Sequence, residues 1–317
     1  MKKKLLQFLI IFFILIISVI IAMITGATDI SDLLSSSNRM ILFEIRLPRV
    51  LLAGLCGSAL SLAGLIFQSL LSNPLAEPYT LGISGGAALG VGLSVLLSVP
   101  FTLRPFFSAT GSILSVVFVF ILAEYKRFSS DSVVLAGVVT SYLFSSIVLF
   151  LFALLQPKDL NYVMLWLMGD LSSASIKTVI FTGIILFIFF IFFFLIRKEM
   201  DVLSFDEEKV QSLGLNASLW RKSLFFIASL MTAICVSVAG VIGFAGLIVP
   251  QIVRKTIGGR HQLQIPAVIL IGAAFLILCD AISRRIIRPV ELPVGIISGL
   301  CGGIFFLSTF LHRKKGL

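Results

Sequence analysis

Arg46-Leu47-Pro48-Arg49, an apolar run from Val50 to Leu71, then Asn73-Pro74-Leu75-Ala76-Glu77-Pro78 and a glycine-rich apolar segment reaching Gly90: this stretch decides the fold. Charged and helix-breaking residues bracket an apolar segment of about 20 residues, the length a helix needs to cross a bilayer. The stretch therefore reads as one membrane span, punctuated at both ends, leading into a second.

Composition extends that reading to the whole chain. Of 317 residues, 58% are hydrophobic and only 13% are charged, and the mean hydropathy is +1.12. Soluble domains carry roughly 25% charged residues. The balance excludes a water-soluble fold and predicts an all-α integral membrane protein with about ten transmembrane helices, forming one transmembrane domain over residues 1–317. Hydropathy and helix breakers place spans near 5–25, 47–71, 80–99, 105–123, 133–155, 178–196, 223–240, 242–253, 264–283 and 293–311. The eighth is short for a full crossing and reads as a tilted or broken helix inside the bundle.

Met1-Lys2-Lys3-Lys4 followed by Leu5 to Ile24 has the charge order of a signal peptide. Its apolar run exceeds the usual core of about 7–15 residues, and no small-x-small cleavage site ends it, so it reads as the first span. The four cysteines, Cys56, Cys235, Cys279 and Cys301, sit singly in apolar helices without metal-ligand spacing, and read as small packing residues. His261 and His312 fall near helix ends, as interfacial polar residues do.

Orientation follows from Lys and Arg in the loops. With the N-terminus inside, about 16 of the 25 basic residues face inward: Lys2, Lys3, Lys4, Lys126, Arg127, Arg197, Lys198, Lys209, Arg221, Lys222, Arg254, Lys255, Arg260, Arg313, Lys314 and Lys315. An even number of spans then puts both termini in the cytoplasm. About nine face outward, and five of these, Arg46, Arg49, Arg284, Arg285 and Arg288, cluster at three helix ends against the rule. They are expected to anchor lipid headgroups, to pair locally with Glu44, Asp280 and Glu291, or to offer fixed guanidinium forks to an acidic partner.

Ser61-Leu62-Ala63-Gly64-Leu65-Ile66 returns as Ser237-Val238-Ala239-Gly240-Val241-Ile242. In this topology the copies run in opposite directions, as in the inverted repeats of transporters. Small residues at this spacing permit close helix approach. Gly82, Gly85, Gly86, Gly90 and Gly92, with Gly240, Gly243, Gly246 and Pro250, predict breaks at membrane depth. Such breaks are tolerated where protein or a water-filled cavity covers the backbone.

Residues 197–222 form the longest inward polar loop. Ser204 is expected to cap a short helix with Asp206 and Glu207 in its first turn. Val210 and Leu213 are expected to share a face, Gly214 to end the helix, and Asn216 or Ser218 to begin the next. A short helix with apolar side chains showing suits a partner's groove, and the acids at 206–208 argue against anionic lipid. The phosphate-binding pattern Gly-x4-Gly-Lys-Ser/Thr is absent, so any ATP hydrolysis belongs to another chain.

In chain order, Arg46-Leu47-Pro48-Arg49, Asn73-Pro74-Leu75-Ala76-Glu77-Pro78, Leu81-Gly82-Ile83-Ser84-Gly85-Gly86, Leu213-Gly214, Gly243-Phe244-Ala245-Gly246-Leu247-Ile248-Val249-Pro250 and Glu291-Leu292-Pro293-Val294-Gly295 resemble the permease subunits of bacterial ABC importers for iron-siderophore complexes, haem and cobalamin, the type II importers. The resemblance covers nearly the whole chain. It implies a multi-pass protein of the bacterial cytoplasmic membrane. It also implies a second permease, identical or paralogous, with the pathway on the dimer axis. Two cytoplasmic ATPase subunits would carry ATP-Mg, and an external substrate-binding protein would deliver cargo. For this chain it implies no catalytic residue, no bound cofactor or metal, and no nucleic acid.

The resemblance also assigns roles. Arg46, Arg49 and Arg284 look like the arginines that receive acidic residues of the binding protein. Asn73 and Leu75 match a cytoplasmic gate, and Ser130 and Asp131 a second gating loop. Leu203 to Leu215, with Asp206, Glu207, Val210, Leu213 and Gly214, looks like the coupling helix that docks on the ATPase. Asp206 departs from the family's frequent Gly, Val210 from Ala, and Gln251 from His.

Two rival classes fit less well. An ion-driven transporter usually carries ionisable residues at membrane depth, whereas Asp280 and Glu77 lie near span ends. A membrane enzyme needs a His/Asp/Glu or Ser-based constellation at depth, and none is legible.

Overall fold

The computed structural model describes residues 2–26, 39–126, 128–205 and 207–313. Among them the chain is helical throughout, without a strand. The elements are α1 (Lys2–Ile24), a π-helical turn (Ile41–Arg46), α2 (Leu47–Leu70), a 3-10 turn (Pro78–Leu81), α3 (Ile83–Leu96), α4 (Arg104–Tyr125), α5 (Ser130–Leu154), α6 (Pro157–Leu167) and α7 (Ile176–Leu195). There follow α8 (Arg197–Val202), α9 (Glu207–Ser212), α10 (Ala217–Ala239), α11 (Ala245–Ile257), α12 (His261–Ser283) and α13 (Val294–Arg313).

Every expected span coincides with a helix. Among the described residues seven stretches are long and apolar enough to cross a membrane: α1, α2 with its preceding turn, α4 with its lead-in, α5, α7, α10 and α12. The other three are shorter. α3 has 14 residues, α11 has 13, and the apolar part of α13 runs Val294–Thr309. α3 and α11 are short because each begins at a break, Gly82 and Phe244, both with left-handed backbone. α6 falls where the sequence reading places no element. Its 11 residues begin on Pro157, Lys158 and Asp159 and carry no long apolar run.

α2 is the centre of the bundle, with 83% of its apolar window buried, against 17% for α1 and 22% for α7. Small residues put it there. A Cβ on Gly57 would collide with the Gly272 carbonyl of α12, and one on Gly64 with the Gly246 carbonyl of α11. Helices cross closely in lipid through such positions. α3 meets α4 in the same way, Gly86 against the Gly111 carbonyl and Gly90 against the Phe107 carbonyl. Conversely, α1 shows Leu5, Phe13, Ile17 and Ile24 outward, as a lipid-facing helix should.

α2 and α10 run antiparallel: Phe67, late in α2, stacks edge-on against Phe225, early in α10, with centroids 5.5 Å apart. The two hexapeptide copies differ in conformation. Ser61–Ile66 is helical inside α2, whereas the second copy leaves α10 at Gly240. Gly240, at φ +67°, crosses the Trp166 carbonyl where a Cβ would clash.

Contacts sort the helix ends into two sets. At one end Gln7 donates to the Thr256 carbonyl, Lys222 pairs with Glu124, Asp201 meets His261, and Gln251 donates to the Pro74 carbonyl. At the other, Arg46 reaches the end of α1, Asp170 N–H donates to the Ala239 carbonyl, and Val294 N–H donates to the Gly169 carbonyl. We call these the inner and outer ends.

Candidate functional site

The outer end is built on arginines. Arg49 Nε donates to Asp280 Oδ1 at 2.8 Å and its Nη1 to Glu291 Oε2 at 2.5 Å. Arg284 Nε lies 3.0 Å from Asp280 Oδ2. Asp280 is fully buried, so one carboxylate deep in protein is shared by two guanidinia. Paired charges of this kind tolerate burial where a lone one does not.

Three arginines also close α1. Arg46 Nη1 donates to the Met23 and Ile24 carbonyls, Arg284 to those of Ala22 and Thr25, and Arg288 to that of Gly26. A helix leaves its last four carbonyls unpaired and its C-terminus electronegative, so cations satisfy both needs. Arg46, Arg49 and Arg284 are thus buried, at 3%, 7% and 2% exposure, with bonds inside the chain. Local pairing of Arg49 and Arg284 with Asp280, and of Arg49 with Glu291, is what the sequence offered as one alternative. Arg285, beside them, is exposed.

Inside the bundle the two breaks support one another. The Ile242 N–H donates to Tyr79 Oη at 3.1 Å, and the Phe244 N–H donates to Glu77 Oε1. Gln68 Nε2 donates to the Gly246 carbonyl at 3.1 Å. Backbone freed from a helix inside lipid must find such partners. This explains why a Glu-Pro-Tyr stretch and a Gly-Phe-Ala-Gly stretch occur together. Gln68 was not legible beforehand, since a lone amide in an apolar run carries no positional signal.

The inner end holds the residues expected to gate, Asn73, Leu75, Ser130 and Asp131. Asn73 Oδ1 accepts the Leu75 N–H at 2.9 Å, a local turn that leaves Leu75 59% exposed. Ser129 caps α5 by accepting from Ser132 N–H, which puts Ser130 and Asp131 in the helix's first turn. Ser130 shares a small cavity with Leu70, Leu71 and Arg221, while Asp131 is exposed. The second loop therefore packs against the end of α2, next to the Asn73 turn.

In the segment expected to dock on the ATPase, Ser204 lies between α8 and α9. Its hydroxyl donates back to the Met200 carbonyl, and α9 begins at Glu207. Asp206 lies outside the described residues, as do Arg127, Lys314 and Lys315. Leu203 is buried. Gly214, at φ +83°, ends α9: Gly214 N–H donates to the Gln211 carbonyl and Leu215 N–H to that of Val210, the paired bonds of a Schellman cap. Because the helix stops at Ser212, Val210 and Leu213 part company. Val210 is buried and Leu213 is 60% exposed. Asn216 caps α10 by accepting from Leu219 N–H at 3.1 Å.

Among the described residues no group of three or more His, Cys, Asp or Glu is placed to hold a metal ion. The bundle instead presents paired charges outside, satisfied breaks within, and an apolar projection inside.

A family model described as the FecCD transport family matches residues 8–313. The chain belongs to the FecCD transport family. It is 37% identical over 283 residues to an iron chelatin transport system permease of Helicobacter pylori strain J99, covering 89% of this chain and 85% of that protein. It is 34% identical over 280 residues to the hemin transport system permease HmuU of Yersinia pestis, covering 86% and 83%. Its fold matches a solved metal-chelate type ABC transporter in an inward-facing conformation, with TM-score 0.87, 25% identity, and 96% and 97% of the two chains covered. This FecCD chain is thus a transport permease subunit, multi-pass and all-helical.

Proposed function

We propose that this chain is one half of a dimeric permease that imports an iron chelate, with ferric siderophores first among them, across the bacterial cytoplasmic membrane. The permease named for iron chelatin and the metal-chelate transporter fold support the cargo class. Two cytoplasmic ATPase subunits carry ATP-Mg, and an external binding protein delivers the cargo. Both termini face the cytoplasm, since Lys and Arg concentrate on the inner end.

The observation that carries this reading is Leu213. An apolar side chain stands 60% exposed beyond a capped short helix, at the same end as the Asn73 turn and the Ser130 loop. That is the shape of a segment meant for a partner's groove. Nucleotide-driven closure of the ATPases moves it, and differential binding of the two permease states to ATP and to the loaded binding protein drives alternating access. Outside, Arg46, Arg49 and Arg284 shape the docking face from beneath, and exposed Arg285 offers its fork to an acidic partner.

The test is ATP hydrolysis by the permease reconstituted in lipid with its neighbouring ATPase and binding protein. Stimulation by binding protein loaded with one chelate identifies the cargo. An ATPase that never co-purifies, with no stimulation by any chelate, sinks the reading.

A further inference from the structure

At the outer end a cleft of about 500 Å³ opens between the start of α4, α6 and residues 170–178. Arg104 dominates it. Its guanidinium carbon lies 4.5 Å from the Tyr162 ring centroid and 5.8 Å from that of Phe101. The two rings meet edge-on at 5.9 Å, and Trp166 lines the same space. Arg104 Nε donates to the Val99 carbonyl at 3.3 Å. Among the described residues no hydrogen bond or ion pair occupies its two terminal amino groups.

The cleft also contains Asp170, whose two oxygens are engaged by Ser172. Its Oδ1 accepts the Ser172 N–H and its Oδ2 the Ser172 hydroxyl, both at 2.7 Å. A second cavity of about 160 Å³ shares Leu165, Asp170 and Ser172 with the cleft and continues to Arg49 and Glu291.

The volume falls within the roughly 300–1,000 Å³ of small-molecule sites. A guanidinium backed by an aromatic face is weakly hydrated and presents a flat fork, which suits a carboxylate or a pair of adjacent oxyanions. The neighbouring rings favour a second flat π-system. A phosphate headgroup shares the charge but not the flatness.

We propose that this cleft is a binding subsite for a flat aromatic anion, an aryl carboxylate or catecholate arm of a chelate, with Arg104, backed by the Tyr162 ring, as anion receptor and Trp166 as stacking wall. Its biological occupant rests on the importer reading; the binding itself needs neither ATPase nor transport.

The experiment is calorimetric titration of the full-length permease, in nanodiscs of zwitterionic lipid, with 2,3-dihydroxybenzoate and with cyclohexanecarboxylate. The aromatic anion is expected to bind at least tenfold tighter. Arg104→Gln should lose at least tenfold, with Arg104→Lys between, each variant eluting as the parent does. Equal affinity for the two anions overturns the proposal, as does unchanged binding by Arg104→Gln. So does displacement of every anion by phosphatidylglycerol without aromatic preference, which assigns the cleft to a lipid headgroup. Aromatic binding without chelate-stimulated ATPase keeps the subsite and sinks the importer. Stimulation together with Arg104-independent binding does the reverse.

Discussion

Arg49 in the first turn of α2 donates to Asp280 in the last turn of α12 at 2.8 Å, joining residues 231 apart in the chain. Asp280 answers Arg284 with its other oxygen, at 3.0 Å. Arg284 and Arg46 in turn hold the last carbonyls of α1. The outward arginines, exceptional by the inside preference for positive charge, thus fasten three helices at the outer end.

Removing the shared carboxylate leaves two buried cations facing each other. Asp280→Asn is expected to destabilise the permease by about 3–5 kcal/mol, the cost of breaking a buried pair. Glu291→Gln, at a side chain 35% exposed, should cost under about 1 kcal/mol. Thermal unfolding in detergent, followed by tryptophan fluorescence, distinguishes them. Equal shifts for the two variants would contradict the shared-carboxylate account.

Glycine contacts give a second contrast. Gly64 meets the Gly246 backbone across α2 and α11, where a Cβ has no room, whereas Gly303 in α13 has nothing within 4 Å. Gly64→Ala should push the helices apart and lower the yield of monodisperse protein severalfold. Gly303→Ala in the free chain should leave it unchanged. Size-exclusion profiles after expression at one temperature settle the comparison, and a normal profile for Gly64→Ala would refute it.

Legibility in the sequence followed physical range. Apolar runs and breakers act locally, so the spans and the Gly214 cap were readable, and Asn216 was one of two candidates for the next cap. The sequence could not show that the Ser204 hydroxyl donates to the Met200 carbonyl of the preceding helix, a contact that the chain's path between two short helices creates. Leu213 parted from Val210 because the helix stopped one residue early for a three-apart rule to hold. The Arg104 cleft was invisible, since it joins α4 to α6 and to residues 170–178, and no periodicity reports such a meeting. The depth of Arg46, Arg49 and Arg284 was likewise hidden: sequence shows that a charge exists, and only the fold shows which carbonyls it caps.

The break at Gly240–Phe244 yields another prediction. Tyr79→Phe removes the acceptor for the Ile242 N–H and keeps the ring. An unpaired buried amide costs about 1–3 kcal/mol. Hydrogen exchange of residues 240–244 should therefore quicken by about tenfold or more, while α2 keeps its protection. Exchange unchanged at 240–244 would show that another group holds that amide.

Leu213 and Val210 separate coupling from folding within one short helix. Leu213 is exposed and touches no core, so Leu213→Asp should insert, elute and melt like the parent. It should lose at least tenfold of chelate-stimulated ATP hydrolysis, because an acid replaces the apolar contact offered to the partner. Val210 is fully buried in the core cluster, so Val210→Asp places a charge in an apolar site and should disorder the loop itself. Limited proteolysis around residues 203–216 reads the second effect, and reconstituted ATPase stimulation reads the first. Full stimulation by Leu213→Asp would remove this segment from the coupling path, even if Val210→Asp abolished it.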